Sequence, residues 1–594
     1  MGKRISEVFV SRVEKLGARA ALKVKRGGRW VSTTWAGYYE ASRKAARALM
    51  HLGMAPGESV CILGFNSPEW VIANMGAILA SGVPAGIYTT NSPAQCQYIA
   101  AHSESRVAFA ENDAQVAKFL EIRAELPRLL AIVQMTGKPR AGVDGVLSWD
   151  AFLALADKTP VADLDARTAA QKDSDVCTLI YTSGTTGDPK AVMITQENAV
   201  WTSETLAAQL GFNADDVSLS YLPLSHIAEQ MLTIHGPMAI GSTVYFAEGL
   251  EALPDNLREV RPTYFLGVPR VWEKMMAKMM AAGAAAPPLR KKLVAWAKKV
   301  GLEGGYAEQR GDTKPFLYPL ANKLIFSKVR ERLGLDRARV CVTSAAPISL
   351  STLEFFLSLG VPLLEVYGMS ECTGPATFST PEAYKTGKCG VKVPGTELKI
   401  AEDGEICYRG KHVFKGYLKN EQATREAIDE EGWLHSGDIG TLDKEGYVQI
   451  TDRKKDLLIT AGGENVAPQV IEGALKAIPV VGQAVVLGDR RKFLTALLTL
   501  DAERVVTDAQ QCGSSARDVE SASTDPVFRK HLEGLVEGVN ATLARVQTIK
   551  KFAILPGELT IEGGELTPTM KVKRKVVNEK YKAEIEALYE GAGD

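Results

Sequence analysis

Ser59-Val60-Cys61-Ile62-Leu63-Gly64, then Pro68 to Ser81, then Gly82-Val83-Pro84-Ala85-Gly86 is the stretch that decides the fold. The first piece is a short apolar run closed by glycine, the second carries apolar residues at helical spacing, and the third is again short and apolar. Alternation of this kind predicts a βαβ unit, in which a helix crosses over the sheet and the strands run parallel. The pattern returns over 176–247, 262–269 and 339–368. Each strand ends in small residues, glycine or proline, at the edge where α/β enzymes place their ligands. The expected fold class is α/β.

Residues 281–335 have another texture. Ala284-Ala285-Ala286-Pro287-Pro288 is a break, after which Leu289, Leu293, Trp296 and Val300 share one helical stripe among Lys291, Lys292, Lys298 and Lys299. Such a stripe suits a helix on a membrane surface or a surface helix packed on the protein body, and the second is the commoner use. From Gly395 to Ile450 the chain becomes β-rich, with turns at Asp403-Gly404, Glu430-Glu431-Gly432 and Lys444-Glu445-Gly446, and reads as a compact antiparallel unit. Beyond Asp452-Arg453-Lys454-Lys455-Asp456 an α+β pattern begins. Val481 to Leu487 and Leu494 to Leu500 are its expected strands, and Asp525 to Leu543 a helix with Asp525 as N-cap and Pro526 at its first position. The expected organisation is one large N-terminal domain, 1–452, of layered α/β subdomains plus a small β-rich subdomain, and a smaller α+β C-terminal domain, 453–594.

Bulk properties narrow the function classes. The 594 residues are 46% hydrophobic, enough for a large core, and the 70 Lys and Arg equal the 70 Asp and Glu. That balance argues against nucleic-acid binding, which goes with a clear basic excess. The eight cysteines are scattered with no C-x-x-C pair, which suits neither a disulfide framework nor a zinc site and fits a reducing compartment. Met1-Gly2-Lys3-Arg4-Ile5-Ser6 is basic but leads into no long apolar run, so a secretory signal is not expected. The same residues match the short and common M-G-x-x-x-[ST] lipidation pattern. No window approaches roughly 18 uninterrupted apolar residues. The expectation is a soluble cytoplasmic protein, with peripheral membrane contact and oligomeric state left open.

The chemistry concentrates after the apolar run Val176-Cys177-Thr178-Leu179-Ile180, in Tyr181-Thr182-Ser183-Gly184-Thr185-Thr186-Gly187-Asp188-Pro189-Lys190. Glycine lets backbone N–H groups approach an anion, hydroxyls donate to its oxygens, and lysine supplies charge, a combination that suits a polyphosphate. Gly-Lys-Ser/Thr is absent, so this is not a Walker A loop. The string resembles the phosphate loop of the AMP-forming acyl-CoA synthetase superfamily, which also includes luciferases and peptide-synthetase adenylation domains. Further segments resemble that superfamily's motifs in its order: Tyr221-Leu222-Pro223-Leu224-Ser225-His226, Thr343-Ser344-Ala345-Ala346-Pro347, Tyr367-Gly368-Met369-Ser370-Glu371, Gly432-Trp433-Leu434-His435-Ser436-Gly437-Asp438, Asp452-Arg453-Lys454-Lys455-Asp456, Gly462-Gly463-Glu464-Asn465 and Thr567-Pro568-Thr569-Met570-Lys571. Phrases such as Gly64-Phe65-Asn66-Ser67-Pro68-Glu69-Trp70 and Gly267-Val268-Pro269-Arg270-Val271-Trp272-Glu273-Lys274 are similar to the bubblegum-type long-chain fatty acid–CoA ligases.

The resemblance implies an adenylate-forming fold with a mobile C-terminal lid, substrates ATP, a fatty acid and coenzyme A, and Mg²⁺. It implies catalytic roles for Lys571, Glu371, His226 and Thr182, with Glu371 on the metal. Nucleotide contacts are implied for Thr182, Ser183, Gly184, Thr185, Thr186, Gly187, Lys190, Ser344, Ala345, Ala346, Glu365, Tyr367, Gly368, Ser370, Asp438 and Arg453. Lys455 is the implied hinge, and Gly462, Gly463 and Glu464 the loop on the coenzyme A side. Three positions depart from the common pattern: Ala191, Ser344 and Met570 stand where glycine is usual. A carrier-loading adenylating enzyme, or a non-catalytic acyl- or nucleotide-binding regulator, are the competing readings. Retention of Glu371, Asp438, Arg453 and Lys571 together speaks against the regulator.

Overall fold

The computed structural model describes all residues except 1, 140–142, 183–187, 462–463, 568–571 and 591–594. Strands Ser59–Leu63 and Val83–Ile87 pair in parallel, in register from Ser59↔Val83 to Leu63↔Ile87, with helix Pro68–Leu79 between them. The helix starts where Ser67 Oγ accepts the Trp70 N–H and Pro68 sets the first turn. Its residues from Trp70 to Leu79 are all buried, which is why its apolar pattern is continuous rather than confined to a stripe.

These strands sit in an eight-stranded sheet. Its order is Gly416–Tyr417, Lys190–Thr195, Val176–Thr182, Val83–Ile87, Ser59–Leu63, Val107–Ala110, Ala131–Gln134 and Val146–Ser148. The last six run parallel. At the other edge Val176–Thr182 and Lys190–Thr195 form an antiparallel hairpin, closed by the pair Thr182↔Lys190. The loop between them is too short to cross the sheet, since a parallel return needs a dozen or more residues. Regular α/β alternation therefore fails at the point where the phosphate-type loop lies.

A second sheet orders Tyr264–Gly267, Val340–Thr343, Leu363–Met369, Gly374–Phe378 and Val391–Lys392, the first three parallel. A third orders Val217–Ser220, Thr243–Phe246, Ala20–Arg26 and Arg29–Thr34. The β-rich stretch forms an antiparallel sheet of Glu397–Ile400, Glu405–Arg409, Leu434–Leu442 and Val448–Arg453. Further on, Val481–Leu487 and Leu494–Leu500 pair antiparallel, and Ile549–Ile554 joins the second of them in parallel. Helix Pro526–Asn540 is capped by Asp525, whose carboxylate accepts the Phe528 N–H. The hydrophobic core divides along the chain: the largest cluster extends to Ile450, and the next begins at Leu458. All eight cysteines are free thiols. No helix among the described residues is long and apolar enough to cross a membrane.

The helix expected from Leu289 runs over Pro288–Gln309, well past Val300. Gly301, Gly304 and Gly305 lie inside it, where glycine usually signals a stop. A Cβ at Gly301 would strike the Ser358 carbonyl and the Phe326 ring, one at Gly304 the Tyr318 ring, and one at Gly305 the Leu357 side chain. Glycine is used here for contact rather than for a turn.

One close approach links fold to site. A Cβ on Gly86 would lie 2.6 Å from the Ser225 Cα, beside His226. Backbone on both sides cannot yield cheaply, so Gly86→Ala should destabilise the chain by about 1–3 kcal/mol through overpacking. A fall in the thermal unfolding midpoint is the expected measurement; an unchanged midpoint would show that Ser225 moves freely.

Candidate active site

Three strand ends converge. Val176–Thr182 stops at Thr182, whose hydroxyl lies 3.5 Å from the carbonyl of Lys190 across the hairpin. Val340–Thr343 stops just before Ser344, whose hydroxyl donates to the Val366 carbonyl at 2.8 Å and ties this strand to the next. Ala345 follows with φ +75°. A left-handed conformation costs roughly 1–2 kcal/mol in a residue that carries a Cβ, and such strain gathers at ligand clamps. Leu363–Met369 carries Tyr367 and Gly368 and leads into the single turn Ser370–Cys372, which holds Ser370 and Glu371, both buried. Gly368 has no room for a side chain: a Cβ would lie 2.7 Å from the Pro375 Cα and closer still to the Gly374 carbonyl oxygen.

Two side-chain chains bind these ends together. Tyr417 donates its hydroxyl to Glu371 Oε1 at 2.8 Å, and the Lys190 ammonium lies over the Tyr417 ring, 5.0 Å from its centroid. Tyr367 donates its hydroxyl to Asp438 Oδ2 at 2.8 Å, while Arg453 Nε lies 3.3 Å from Asp438 Oδ1. Asp438 and Arg453 are register partners across the hairpin of the small antiparallel sheet. Asp438 is buried with a donor at each oxygen, which fixes its orientation. Burial and the Asp438 charge push the Tyr367 phenol well above its usual range, and burial and then Glu371 do the same to Tyr417. Both phenols therefore remain donors at any physiological pH.

Glu365 precedes this group on the same strand. Burial pushes its carboxyl up to about 8, against the opposing pull of the Gly387 and Lys388 N–H groups, the former donating to Oε2 at 2.7 Å. Near neutrality it is mostly uncharged, so it adds little repulsion towards a phosphate. His226 caps helix Ile227–Gln230, its Nδ1 accepting the Ala228 N–H at 3.2 Å. That bond leaves Nε2 as the proton-bearing nitrogen of the neutral ring.

Thr182, Lys190, Ser344, Ala345, Ala346, Tyr367, Gly368, Ser370, Glu371 and Arg453 thus stand at or beside strand ends, with Asp438 mid-strand opposite Arg453. Lys455 and Glu464 do not join them: Lys455 is exposed in a turn, and Glu464, also exposed, donates its N–H to Thr460 Oγ1. Close to Lys455 in sequence, Asp452 is buried and accepts the Gln469 N–H at 3.0 Å, with burial pushing it up to about 6. Lys454 pairs with Asp403 at 2.6 Å and Glu405 at 3.0 Å. Glu405, Cys407 and His435 have ligand atoms within 4.8 Å of one another, but the Lys454 ammonium already supplies the cation at Glu405. Ser183, Gly184, Thr185, Thr186, Gly187, Gly462, Gly463, Met570 and Lys571 lie outside the described residues. Ala191 is a fully buried strand residue opposite Tyr181, its carbonyl accepting the Leu418 N–H, so that departure belongs to the sheet.

The family models decide the relationship: the "AMP-binding enzyme" model matches residues 9–418 and the "AMP-binding enzyme C-terminal domain" model residues 455–593. The chain belongs to the AMP-binding enzyme family. Among curated relatives of this family member, the long-chain-fatty-acid–CoA ligase ACSBG2 of Xenopus laevis is 43% identical over 99% of this chain and 84% of its own length. The human ligase of the same name is 40% identical over 98% and 92%. Among solved structures, the anthranilate CoA ligase AuaEII with anthranoyl-AMP aligns with a TM-score of 0.75 at 19% identity, covering 98% of each chain. The adenylation domain of a carboxylic acid reductase from Segniliparus rugosus aligns at 0.73 and 21%, covering 99% of this chain and 94% of that one. These two likenesses establish an adenylate-forming fold.

Sequence reasoning missed Tyr417 and Glu229. Tyr417 reaches Glu371 only because Gly416–Tyr417 adds a strand beside Lys190–Thr195, a pairing over more than 200 positions that no local pattern signals. Glu229 lies three residues beyond His226, fully buried, and its Oε1 accepts from Ser220 at 2.6 Å, Thr233 at 2.7 Å and Asn66 at 3.2 Å. A charged residue inside an apolar run was the available clue. Beside it lies a cavity of about 10 Å³ lined by Ser218, Tyr221, Thr233 and Tyr264 among others, room for about one water.

Burial raises Glu229 from 4.5 to about 7. Below its unfolded value the group is protonated in both states, so the fold carries its full stability. As pH rises towards about 7 the unfolded chain releases the proton first and that contribution is lost. Glu229→Gln keeps the shape without titrating. The parent's unfolding midpoint should therefore fall relative to the variant's between about pH 5 and 7 and run parallel above. Thermal melts at constant ionic strength check this; parallel curves throughout would mean an ordinary carboxylate.

Proposed function

We propose that the chain is an ATP-dependent, AMP-forming ligase that joins a long-chain fatty acid to coenzyme A through an acyl-adenylate. The observation that supports this best is near-complete coverage by relatives named long-chain-fatty-acid–CoA ligases at 40–44% identity, on a chain in which Tyr417 joins Lys190 to Glu371 and Asp438 pairs with Arg453.

Adenylation brings two anions together. The fatty carboxylate attacks the α-phosphorus of ATP and pyrophosphate leaves, so the site must neutralise charge and hold an in-line geometry. Thr182 and Lys190 flank the phosphate loop with a hydroxyl and a charge. A single carboxylate beside phosphates is a donor set that Mg²⁺ favours, and Glu371, oriented by Tyr417, fits it. Bound there, Mg²⁺ would neutralise phosphate charge. Asp438, held by Tyr367 and Arg453, accepts hydroxyls of the ribose, and the Ser344-Ala345-Ala346 turn lies along the adenine. His226 holds the acyl carboxylate; as that group is already ionised at pH 7, no general base is required. Lys571 bridges the acyl carboxylate and the α-phosphate. In the second step the thiolate of coenzyme A attacks the acyl carbonyl and AMP leaves. A turn of the 453–594 domain about Lys455 withdraws Lys571 and brings Gly462, Gly463 and Glu464 to the thiol.

Lys571→Ala should lower fatty-acid-dependent ATP–pyrophosphate exchange by roughly 100-fold or more. Supplied acyl-adenylate should still yield thioester at a rate close to the parent's. Unchanged exchange in this variant would sink the assignment. Asp438→Asn should raise the KM for ATP by roughly 10–100-fold, the worth of a charge-assisted hydrogen bond. Initial rates over an ATP series, with a long-chain acid and free coenzyme A, measure it, and replacing coenzyme A by a holo-carrier protein should give no product.

A further inference from the structure

Charge is not spread evenly along this chain. Over all 594 residues it balances, yet residues 286–333 hold eleven Lys and Arg against four Asp and Glu. The same segment carries the densest group of exposed large apolar side chains. Leu289 is 81% exposed and Phe316 95%, with Leu293, Leu317, Leu320 and Leu324 between 36% and 46%. Monomeric proteins rarely leave so many large apolar side chains exposed over one short segment without a use for them.

Local structure gathers these residues onto one helical pair. Helix Pro288–Gln309 packs against the helical stretch 318–333 through Ala297, Val300, Ala321 and Phe326, with Trp296, Tyr318 and Ile325 at the edge of that seam. Leu289 and Leu293 continue the Trp296 stripe beyond the seam, towards the start of the first helix. Leu317, Leu320 and Leu324 recur at helical spacing on the second, and Phe316 stands at its entrance. At about 100° per residue, Arg290 falls to one side of the Leu289–Leu293–Trp296 stripe and Lys292 and Lys299 to the other. Arg290, Lys292, Lys299, Lys323 and Lys328 are all exposed, and no ion pair engages any of them among the described residues. The opposite side of the first helix faces the body, where Lys298 lies over the Phe355 ring at 4.4 Å.

We infer that this helical pair docks the protein on an anionic lipid surface. Leucines and a phenylalanine enter the acyl boundary, while lysine and arginine stems lie along it and hold their charges at the headgroups. A second copy of the chain is a poor occupant, because it would bring the same unpaired cations face to face. A long-chain acid partitions into bilayers, so such docking would set the enzyme where its substrate resides. That consequence, unlike the docking itself, rests on the function proposed above.

The test is flotation of the full-length protein with phosphatidylcholine vesicles, with and without phosphatidylglycerol, in the absence of ATP and fatty acid. Binding should require phosphatidylglycerol and weaken as salt is raised. The triple variant Arg290→Gln, Lys292→Gln, Lys299→Gln should lose about fivefold in affinity per charge, roughly 100-fold together. The variant Leu289→Ser, Phe316→Ser should lose binding even at low salt. Both variants should keep the parent's turnover of a short, water-soluble acid, or of acyl-adenylate, because none of these residues belongs to the site. Absence of parent binding to phosphatidylglycerol vesicles, or binding that neither variant weakens, would overturn the inference. So would a concentration-dependent dimer in lipid-free solution that the Leu289→Ser, Phe316→Ser variant abolishes. Since flotation involves no catalysis, its failure is distinct from failure of the ligase assignment.

Discussion

Two backbone pairings, Gly416↔Met193 and Tyr417↔Val192, carry more of the site than their length suggests. They lay the segment leaving the small antiparallel sheet along the edge of the eight-stranded sheet, beside the hairpin that bears Thr182 and Lys190. Only in that position can the Tyr417 ring lie under the Lys190 ammonium while its hydroxyl reaches Glu371 in the turn after Leu363–Met369. The phosphate-type hairpin, the acidic turn and the ribose-type hairpin are thus held by edge contacts between separate sheets, not by one continuous framework. A hydrogen bond of about 1 kcal/mol and a cation–π contact of similar size are modest alone, and their worth here lies in fixing relative position.

Buried carboxyls differ here in their partners. Glu365 and Glu229 are pushed towards neutrality by burial, whereas Asp438, equally hidden from water, has Arg453 and the Tyr367 hydroxyl at its oxygens. A neutral acid adds little repulsion towards an anion near it, and an acid with a donor at each oxygen is already oriented. Nearly adjacent positions on one strand, Glu365 and Tyr367, serve these two ends.

Much of this was legible from the residues. The parallel pair around Pro68–Leu79, the strands Val481–Leu487 and Leu494–Leu500, and the Asp525 cap depend on local periodicity and capping chemistry, and each lies where that chemistry puts it. The string ending in Glu371 and the Asp438–Arg453 pair could be named because short motifs keep their internal spacing. What could not be read depends on partners distant in the chain. Val176–Thr182 does extend the parallel series, beside Val83–Ile87, but its turn straight back into Lys190–Thr195 follows from loop length and not from a strand pattern. The Leu289–Val300 stripe gives no sign that helix Pro288–Gln309 continues through Gly301, Gly304 and Gly305, which lie against Phe326, Tyr318 and Leu357. Tyr417 carried no local signal at all.

Those three glycines have a consequence for how the molecule assembles. Each weakens an isolated helix by roughly 1 kcal/mol relative to alanine, so the peptide 288–309 has little reason to be helical in water. Alanine at the same places would favour the lone helix and forbid its docking, since every added methyl meets an occupied position. Helix formation and tertiary contact are therefore a single cooperative event in this part of the chain. The segment should gain and lose its backbone protection together with the helix Leu350–Leu357 beneath it, as one unit of local unfolding.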